Sequence, residues 1–113
     1  MLALYGLKNC DSCRKAIAWL KAHQREFVFH DLRIDGLNAE QLLKWETQVG
    51  WENLLNHKST TWRGLTESEK TGLDQAKAID LMLIHPALIK RPLLEVGDTV
   101  WLGFTPERYS QLP

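Results

Sequence analysis

The sequence has few cysteines, no excess of charge of either sign and no long uninterrupted apolar run. Its 113 residues include two cysteines, and 14 Lys and Arg are balanced by 14 Asp and Glu. Proteins that bind a phosphate backbone usually carry a basic excess on one face, so direct nucleic-acid binding is disfavoured. No window approaches the roughly 18 apolar residues of a membrane span, and no signal-peptide pattern is present. We therefore expect a cytoplasmic protein that does not enter membranes.

The two cysteines, Cys10 and Cys13, are not needed to hold the fold together. A chain of this length buries about two-thirds of the surface that its unfolded form exposes, which suffices for one domain without disulfides or metals. In a reducing compartment, two cysteines separated by two residues are more often catalytic, redox-sensing or metal-binding than a static bridge. This pair is therefore the first candidate for chemistry.

The start of the chain is predicted to form a strand, a helix and a second strand. Leu2 to Leu7 is a short apolar run typical of a buried strand, and Glu26 to Leu32 is rich in strand-forming residues. Between them, one helical stripe of apolar positions is formed by Cys13, Ala16, Ile17 and Leu20. Cys10 is thus predicted to lie at or just before the start of this helix.

The middle of the chain is predicted to be helical. Asn38, Thr66 and Asp74 are candidate N-caps, and His85-Pro86 ends the last of these helices. Two strand-like runs then follow, Leu93 to Val96 and a second run ending at Phe104, with the hairpin signal Gly-Asp between them. A Thr-Pro pair after the second run starts a short closing helix.

The predicted order is β-α-β, a helical block and β-β-α. With C-x-x-C at a strand-to-helix junction, this order indicates an α/β protein with a thioredoxin-like fold and a mixed four-stranded sheet. We expect a single domain, with its core at about residues 1–35 and 87–113 and a helical insertion at about 36–86.

Cys10 is the candidate nucleophile. A thiolate at a helix N-terminus is stabilised by the unpaired backbone N–H groups and the positive end of the helix dipole. Arg14 lies four residues on, so in a helix that includes Cys10 its guanidinium would share the same face and add a stabilising charge, whereas Asp11 opposes the thiolate. The alternative is that Cys10 is a small buried apolar residue. Its position and neighbours favour the nucleophile.

Cys13 has two interpretations of equal weight. It can be the resolving thiol that displaces the product and forms a Cys10–Cys13 disulfide. Its place on the apolar stripe is equally typical of a cysteine that only packs in the core. In the second case, glutathione or another external thiol would resolve the mixed disulfide.

Arg91-Pro92 precedes the first strand of the predicted hairpin, which in this topology faces the N-terminus of the cysteine-bearing helix. An Arg-Pro pair there can contact substrate, but the pair considered alone favours the alternative. The alternative is a solvated arginine followed by a proline that starts a strand.

The four histidines are scattered without the spacing that accompanies a C-x-x-C in zinc sites, so no metal is expected.

Taken together, these residues resemble the arsenate reductase-related family, which includes ArsC enzymes, Spx regulators and YffB-type proteins. The resemblance covers nearly the whole chain, is closest to the YffB-type branch, and rests on Tyr5 to Asp11, the Cys10-x3-Arg14 motif, Leu54 to Asn56, Thr60 to Arg63, Ala76 to Ile79, His85-Pro86 and Lys90 to Pro92. It implies a bacterial oxidoreductase that uses glutathione or glutaredoxin as thiol cosubstrate.

The resemblance also implies roles for individual residues. It implies that Cys10 is the catalytic cysteine. Around it, we expect Arg14 and Cys13 to assist catalysis, and Asn9 and Arg91-Pro92 to bind substrate. The family context is also the argument for a cis peptide bond before Pro92, since such bonds are only about 5–6% of X–Pro bonds.

Two departures from the family pattern argue against arsenate as the substrate. Asn56 and Gly103 stand where the arsenate reductases place arginine, and two permanently charged planar groups that bind a tetrahedral anion are therefore missing. Arsenate reduction is the least favoured activity, unless Arg63 substitutes for them.

The leading hypothesis is a glutathione-dependent thiol reductase acting through a Cys10 thiolate. Spx regulators share the C-x-x-C pair, and the resemblance to them implies a second hypothesis, a redox-switched regulator that binds the RNA polymerase α subunit. The YffB-type branch often lacks the second cysteine, so the presence of Cys13 leaves the resolving step open.

Overall fold

The computed structural model describes residues 2–113. Its helices and strands are, in chain order, β1 (Leu2–Gly6), α1 (Asp11–Ala22), β2 (Phe27–Asp31), α2 (Ala39–Val49), α3 (Trp51–Leu54), α4 (Thr60–Arg63), α5 (Glu67–Lys70), α6 (Gln75–Ile84), a 3₁₀ turn (Pro86–Leu88), β3 (Leu93–Val96), β4 (Thr99–Leu102) and α7 (Pro106–Tyr109).

The four strands form one mixed sheet in the order β2-β1-β3-β4. β1 pairs with β2 in parallel and with β3 in antiparallel, and β3 pairs with β4 in antiparallel. The parallel pair is connected by α1, which makes the opening half a βαβ unit. This topology confirms the predicted thioredoxin-like α/β fold with helices inserted between its two halves.

The sheet unit consists of residues 2–35 and 91–113. Because strand side chains alternate between faces, one face of the sheet presents the apolar residues that pack against the buried stripe of α1. The buried cluster on this face contains Leu2, Leu4, Ala16, Leu20, Leu94, Tyr109 and Leu112. This packing fixes the direction of α1 and hence the place of its N-terminus at the end of β1.

The helical unit consists of residues 36–90. The predicted caps are present: the side chains of Asn38, Thr66 and Asp74 each accept a backbone N–H three residues on. The unit extends to residue 90, whereas the sequence placed the end of the insertion at about 86. The reason is that Leu88 and Lys90 hydrogen-bond the segment at α3: the Leu88 carbonyl accepts from Asn56 at 2.7 Å, and the Lys90 N–H donates to Leu54 at 2.8 Å.

Candidate active site

Cys10 is the N-cap of α1, at the position predicted from the sequence. Its backbone is extended (φ −102°, ψ 123°), and the helix begins at the next residue, Asp11. The Cys10 N–H donates to the Leu7 carbonyl at 3.2 Å, and its own carbonyl accepts from the N–H of Arg14 at 3.0 Å. These bonds place a partly exposed thiol at the positive end of a helix of 12 residues.

The groups around Cys10 favour its thiolate. Burial raises the pKa of Cys10, but hydrogen bonds from the backbone N–H and thiol of Cys13 and from the Arg91 guanidinium outweigh it. The positive charge of Arg91 acts in the same direction. The pKa therefore lies below its ordinary value, which is a requirement for a thiol nucleophile.

Cys13 is buried on the inner face of α1, with 1% of its surface exposed. Burial, followed by its hydrogen bond with Cys10 and the charge of that thiolate, raises the pKa of Cys13 to about 12. Both cysteines are free thiols. In the reduced protein, Cys13 is therefore a protonated thiol that packs in the core and also donates to Cys10.

Gly6, the last residue of β1, makes room for the Cys13 sulfur. A Cβ added at Gly6 would collide with Cys13 Sγ. The close approach of this strand end to α1 thus depends on a residue without a side chain. It fixes where the buried thiol lies relative to β1.

Arg14 has partners other than the predicted one. Its guanidinium binds the Asp11 carboxylate at 3.1 Å, and its Nε donates to the Lys8 carbonyl at 3.3 Å. The prediction required Cys10 to lie within the helix, but the extended backbone at Cys10 takes its side chain out of the helical i, i+4 arrangement. Arg14 offsets the Asp11 charge and holds the loop that precedes Cys10.

Arg91 supplies the charge beside Cys10. It stands at the start of the second half of the sheet unit, and the Arg91–Pro92 peptide bond is cis. The Pro92 carbonyl accepts the Gly103 N–H at 2.9 Å, which ties the start of β3 to the end of β4. The topology therefore brings Arg91 to Cys10, in the place that the sequence predicted for it, while its contact with substrate stays a prediction.

Asp31 is a residue of this site that the sequence analysis missed. Asp31 is buried at the end of β2, with 7% of the residue exposed, and its carboxylate accepts the backbone N–H of Lys8 at 3.0 Å and that of Arg33 at 2.9 Å. Burial raises the pKa of Asp31, but backbone N–H donors and the Lys8 charge hold it below its usual range. An Asp at a strand end that precedes a turn is a known turn-forming signal, and it could have indicated this residue.

Asn9 lies beside a shallow pocket of about 210 Å³. The pocket is lined by Leu7, Lys8, Asn9, Asp31, Arg33 and Ile34. Lys8 and Arg33 carry positive charges, and Asn9 directly precedes Cys10 in the chain. The backbone at Gly103 has a φ of 79°, which favours glycine, so the arginine that the resemblance to arsenate reductases implies for this position would be strained.

Metal clusters and membrane spans are two further features to consider in the described part of the chain. Among residues 2–113, no group of three or more His, Cys, Asp or Glu is arranged to hold a metal ion. Within the same residues, every helix is too short or too polar to cross a membrane.

Comparison with known proteins identifies the family. Residues 5–112 match the model of the ArsC family. A solved structure of a protein named YFFB is 44% identical, covers 99% of this chain and 98% of that one, and superposes with a TM-score of 0.95. An arsenate reductase (ArsC) related protein from Brucella melitensis is 42% identical, covers 96% and 91%, and has a TM-score of 0.80.

A curated relative, the global transcriptional regulator Spx of Streptococcus mutans, is 30% identical over 92% of this chain and 77% of its own length. The resemblance drawn from the motifs is confirmed: this chain belongs to the ArsC family.

Proposed function

We propose that this protein is a thiol–disulfide oxidoreductase in which the Cys10 thiolate is the nucleophile and glutathione is the cosubstrate. The observation that carries the proposal is the environment of Cys10, in which donors from Cys13 and Arg91 lower the pKa of a partly exposed thiol at a helix N-terminus. This is the arrangement that thiol exchange requires. Because the reaction needs reduced thiols, we place the protein in the cytoplasm.

In the first step, the Cys10 thiolate attacks one sulfur of a substrate disulfide. A bond forms between Cys10 Sγ and that sulfur, the substrate S–S bond breaks, and the other sulfur leaves as a thiolate that takes a proton from solvent. The product is a mixed disulfide on Cys10. Arg91 stabilises the attacking charge before the step and stays beside the sulfur after it.

In the second step, a thiolate attacks the mixed disulfide and releases Cys10. The Cys13 thiol would first have to lose a proton, and burial, the largest cause of its raised pKa, does not depend on the charge of Cys10. A glutathione thiolate from solvent has no such requirement. We therefore assign the second step to glutathione: its thiolate attacks the substrate sulfur of the mixed disulfide, the bond to Cys10 Sγ breaks, and Cys10 leaves as a thiolate. The glutathione–substrate disulfide so formed reacts with a second glutathione thiolate, which releases the substrate thiol and yields oxidised glutathione. We assign Cys13 to hydrogen-bond donation, and a Cys10–Cys13 disulfide stays a prediction for the experiment below.

Positive charge beside Cys10 supports an anionic cosubstrate. The pocket next to Asn9 includes Lys8 and Arg33, and the Arg91 guanidinium lies at the cysteine itself. Glutathione carries two carboxylates, which cationic side chains bind through charge-assisted hydrogen bonds. We propose Asn9, Arg91 and Pro92 as the contacts of glutathione, and glutaredoxin as a protein partner whose cysteine thiol can take the place of glutathione.

The test is glutathione-dependent reduction of a small disulfide, with oxidised glutathione measured as the product. We expect Cys10→Ser to abolish turnover and Cys13→Ala to retain most of it. Mass spectrometry after treatment with oxidised glutathione then identifies the resolving group. A glutathione adduct on Cys10 in both the wild type and Cys13→Ala supports resolution by glutathione, whereas an adduct seen only in Cys13→Ala assigns resolution to Cys13.

A second candidate, a redox-switched regulator, is supported by the 30% identity with Spx over most of the chain and by the two free thiols that hydrogen-bond each other. Its proposed partner is the RNA polymerase α subunit. A pull-down with purified α subunit, comparing reduced and oxidised protein, tests this function. Redox-dependent capture that Cys10→Ser abolishes would favour it over the enzyme, and no capture in either state would exclude it.

A further inference from the structure

We propose that Asp31 is a positioning residue for Cys10, acting through the backbone of Lys8. The inference rests on the proposed function, because it concerns how the Cys10 thiolate is held. Asp31 belongs to β2, and Lys8 belongs to the loop between β1 and α1, two residues before the nucleophile. Their contact joins two segments of the sheet unit that are distant in sequence.

The two carboxylate oxygens of Asp31 have different partners. Oδ1 accepts the N–H groups of Arg33 and Ile34, at 2.9 and 3.3 Å, and so holds the turn after β2. Oδ2 accepts the N–H of Lys8 at 3.0 Å. One oxygen thus fixes the carboxylate to its own turn, while the other fixes the loop that carries Cys10.

The Lys8 residue is held from both sides. Its N–H donates to Asp31, and its carbonyl accepts from Arg14 Nε at 3.3 Å. The loop is also closed on itself by the bond from the Cys10 N–H to the Leu7 carbonyl, at 3.2 Å. With both polar groups of Lys8 engaged, the backbone leading into Cys10 has little freedom to rotate.

This geometry matters because the Cys10 thiolate depends on directional contacts. The Cys13 N–H, the Cys13 thiol and the Arg91 guanidinium can donate to Cys10 only if its sulfur stays in place. The charge of Asp31 by itself opposes a second negative charge nearby. If Asp31 stabilises the thiolate, it must do so by holding the loop in position and not by its charge. Loss of its charge would lower the pKa of Cys10, whereas loss of its positioning role would raise that pKa.

The experiment measures the rate of iodoacetamide alkylation of Cys10 against pH in the full-length protein, in a Cys13→Ala background so that one thiol reports. Asp31→Asn replaces one accepting oxygen by an NH₂ group, so either Lys8 or the turn after β2 loses its acceptor. We expect the apparent pKa of Cys10 to rise by roughly one unit and alkylation below that pKa to slow about tenfold.

Asp35→Asn is the matched control. Asp35 is in the same turn and carries the same charge, but its carboxylate accepts from the Asp31 N–H and contacts the His30 ring, and not Lys8. We expect it to leave the alkylation profile unchanged. A fall in the pKa of Cys10 in Asp31→Asn would show that charge dominates, and an unchanged pKa in folded Asp31→Asn would show a purely structural role; either result overturns the proposal.

Two further measurements cover a variant that does not fold. Asp31→Glu keeps the charge and lengthens the side chain, and we expect it to raise the pKa of Cys10 as Asp31→Asn does. In the wild-type protein, the Lys8 N–H should exchange its hydrogen with solvent more slowly than a loop amide that has no hydrogen bond. Exchange as fast as that of such an amide would overturn the proposal. If the pKa of Cys10 is not lowered in either the wild type or Cys13→Ala, the result would instead contradict the proposed function itself.

Discussion

The Arg91 guanidinium donates a hydrogen bond to the sulfur of Cys10, although the two residues belong to opposite halves of the sheet unit. Arg91 directly precedes the antiparallel hairpin, and Cys10 caps the helix that follows β1. The pairing of β1 with β3 brings the two chain segments together. The fold therefore places a permanent positive charge at a thiol that has a helix N-terminus behind it.

Removing Arg91 should make Cys10 a weaker acid. Arg91→Ala deletes one hydrogen-bond donor and one positive charge, so we expect the pKa of Cys10 to rise by about one unit or more and its alkylation at neutral pH to slow by roughly tenfold. The measurement is the alkylation rate across the pH range. Arg14→Ala is the control, since Arg14 binds Asp11 and the Lys8 carbonyl and should have the smaller effect. Equal effects of the two variants would contradict this account of the site.

Adding a methyl group at Gly6 should destabilise the fold through Cys13. The new Cβ would collide with Cys13 Sγ, and overpacking of this kind costs about 1–3 kcal/mol. We expect Cys13→Ala to recover most of that loss in the double variant, measured by urea unfolding as a double-mutant cycle. Gly64→Ala is the control, because its Cβ would meet backbone atoms at 3.6 Å, an ordinary contact distance. Additive losses at Gly6 and Cys13 would contradict the proposed contact.

Stability should fall at alkaline pH in a way that depends on Cys13. Its pKa in the fold is about 12, above its ordinary value of 9.0. A group whose pKa is raised on folding contributes stability that is fully present below the unfolded pKa and is lost as the pH rises toward the folded pKa. We therefore expect a decline above pH 9 of up to about 1.4 kcal/mol per pH unit from this thiol.

The measurement is urea unfolding at several pH values between neutral and strongly alkaline. Cys13→Ala should show a shallower decline than the wild type. Burial also raises the pKa of Tyr109, so part of the decline remains in both proteins. The lowered pKa of Cys10 acts with the opposite sign, because its contribution is present at high pH and lost as the pH falls. Identical slopes in the wild type and Cys13→Ala would contradict the burial of a neutral thiol.

Loss of the Cys13 thiol should affect Cys10 without stopping turnover. Cys13→Ala keeps the backbone N–H that donates to Cys10 but removes the S–H donor. We expect a modest rise in the pKa of Cys10, smaller than in Arg91→Ala, and glutathione-dependent turnover within about a few-fold of the wild type. Turnover as low as in Cys10→Ser would contradict the assignment of the second step to glutathione.

Much of the fold could be predicted from local signals. A short apolar run, segments rich in strand-forming residues and a helical stripe located the strands and α1. Short polar side chains at Asn38, Thr66 and Asp74 marked helix starts, because each satisfies a backbone N–H that the helix leaves free. The end of the helical unit was placed too early. The bonds that extend it, between the segments around Leu54 and Lys90, join residues far apart in sequence and leave no local pattern.

The site was predictable where it depends on sequence position and not where it depends on side-chain geometry. The helix N-terminus at Cys10 follows from the strand-to-helix junction. The partners of Arg14 depend on the extended backbone at Cys10, which keeps the thiol off the helix face. Asp31 accepts the Lys8 N–H from the neighbouring strand, and neither this contact nor the burial of Asp31 leaves a local pattern in the sequence.

The most direct test of the central claim, that Cys10 is an ionised nucleophile, is the rate of its alkylation by iodoacetamide as a function of pH, with Cys10→Ser as the control. The account predicts a single titration with a midpoint below the ordinary cysteine value of 9.0, which disappears in Cys10→Ser. A midpoint at or above that value would contradict the claim that the Cys13 and Arg91 donors outweigh burial, and with it the proposed chemistry.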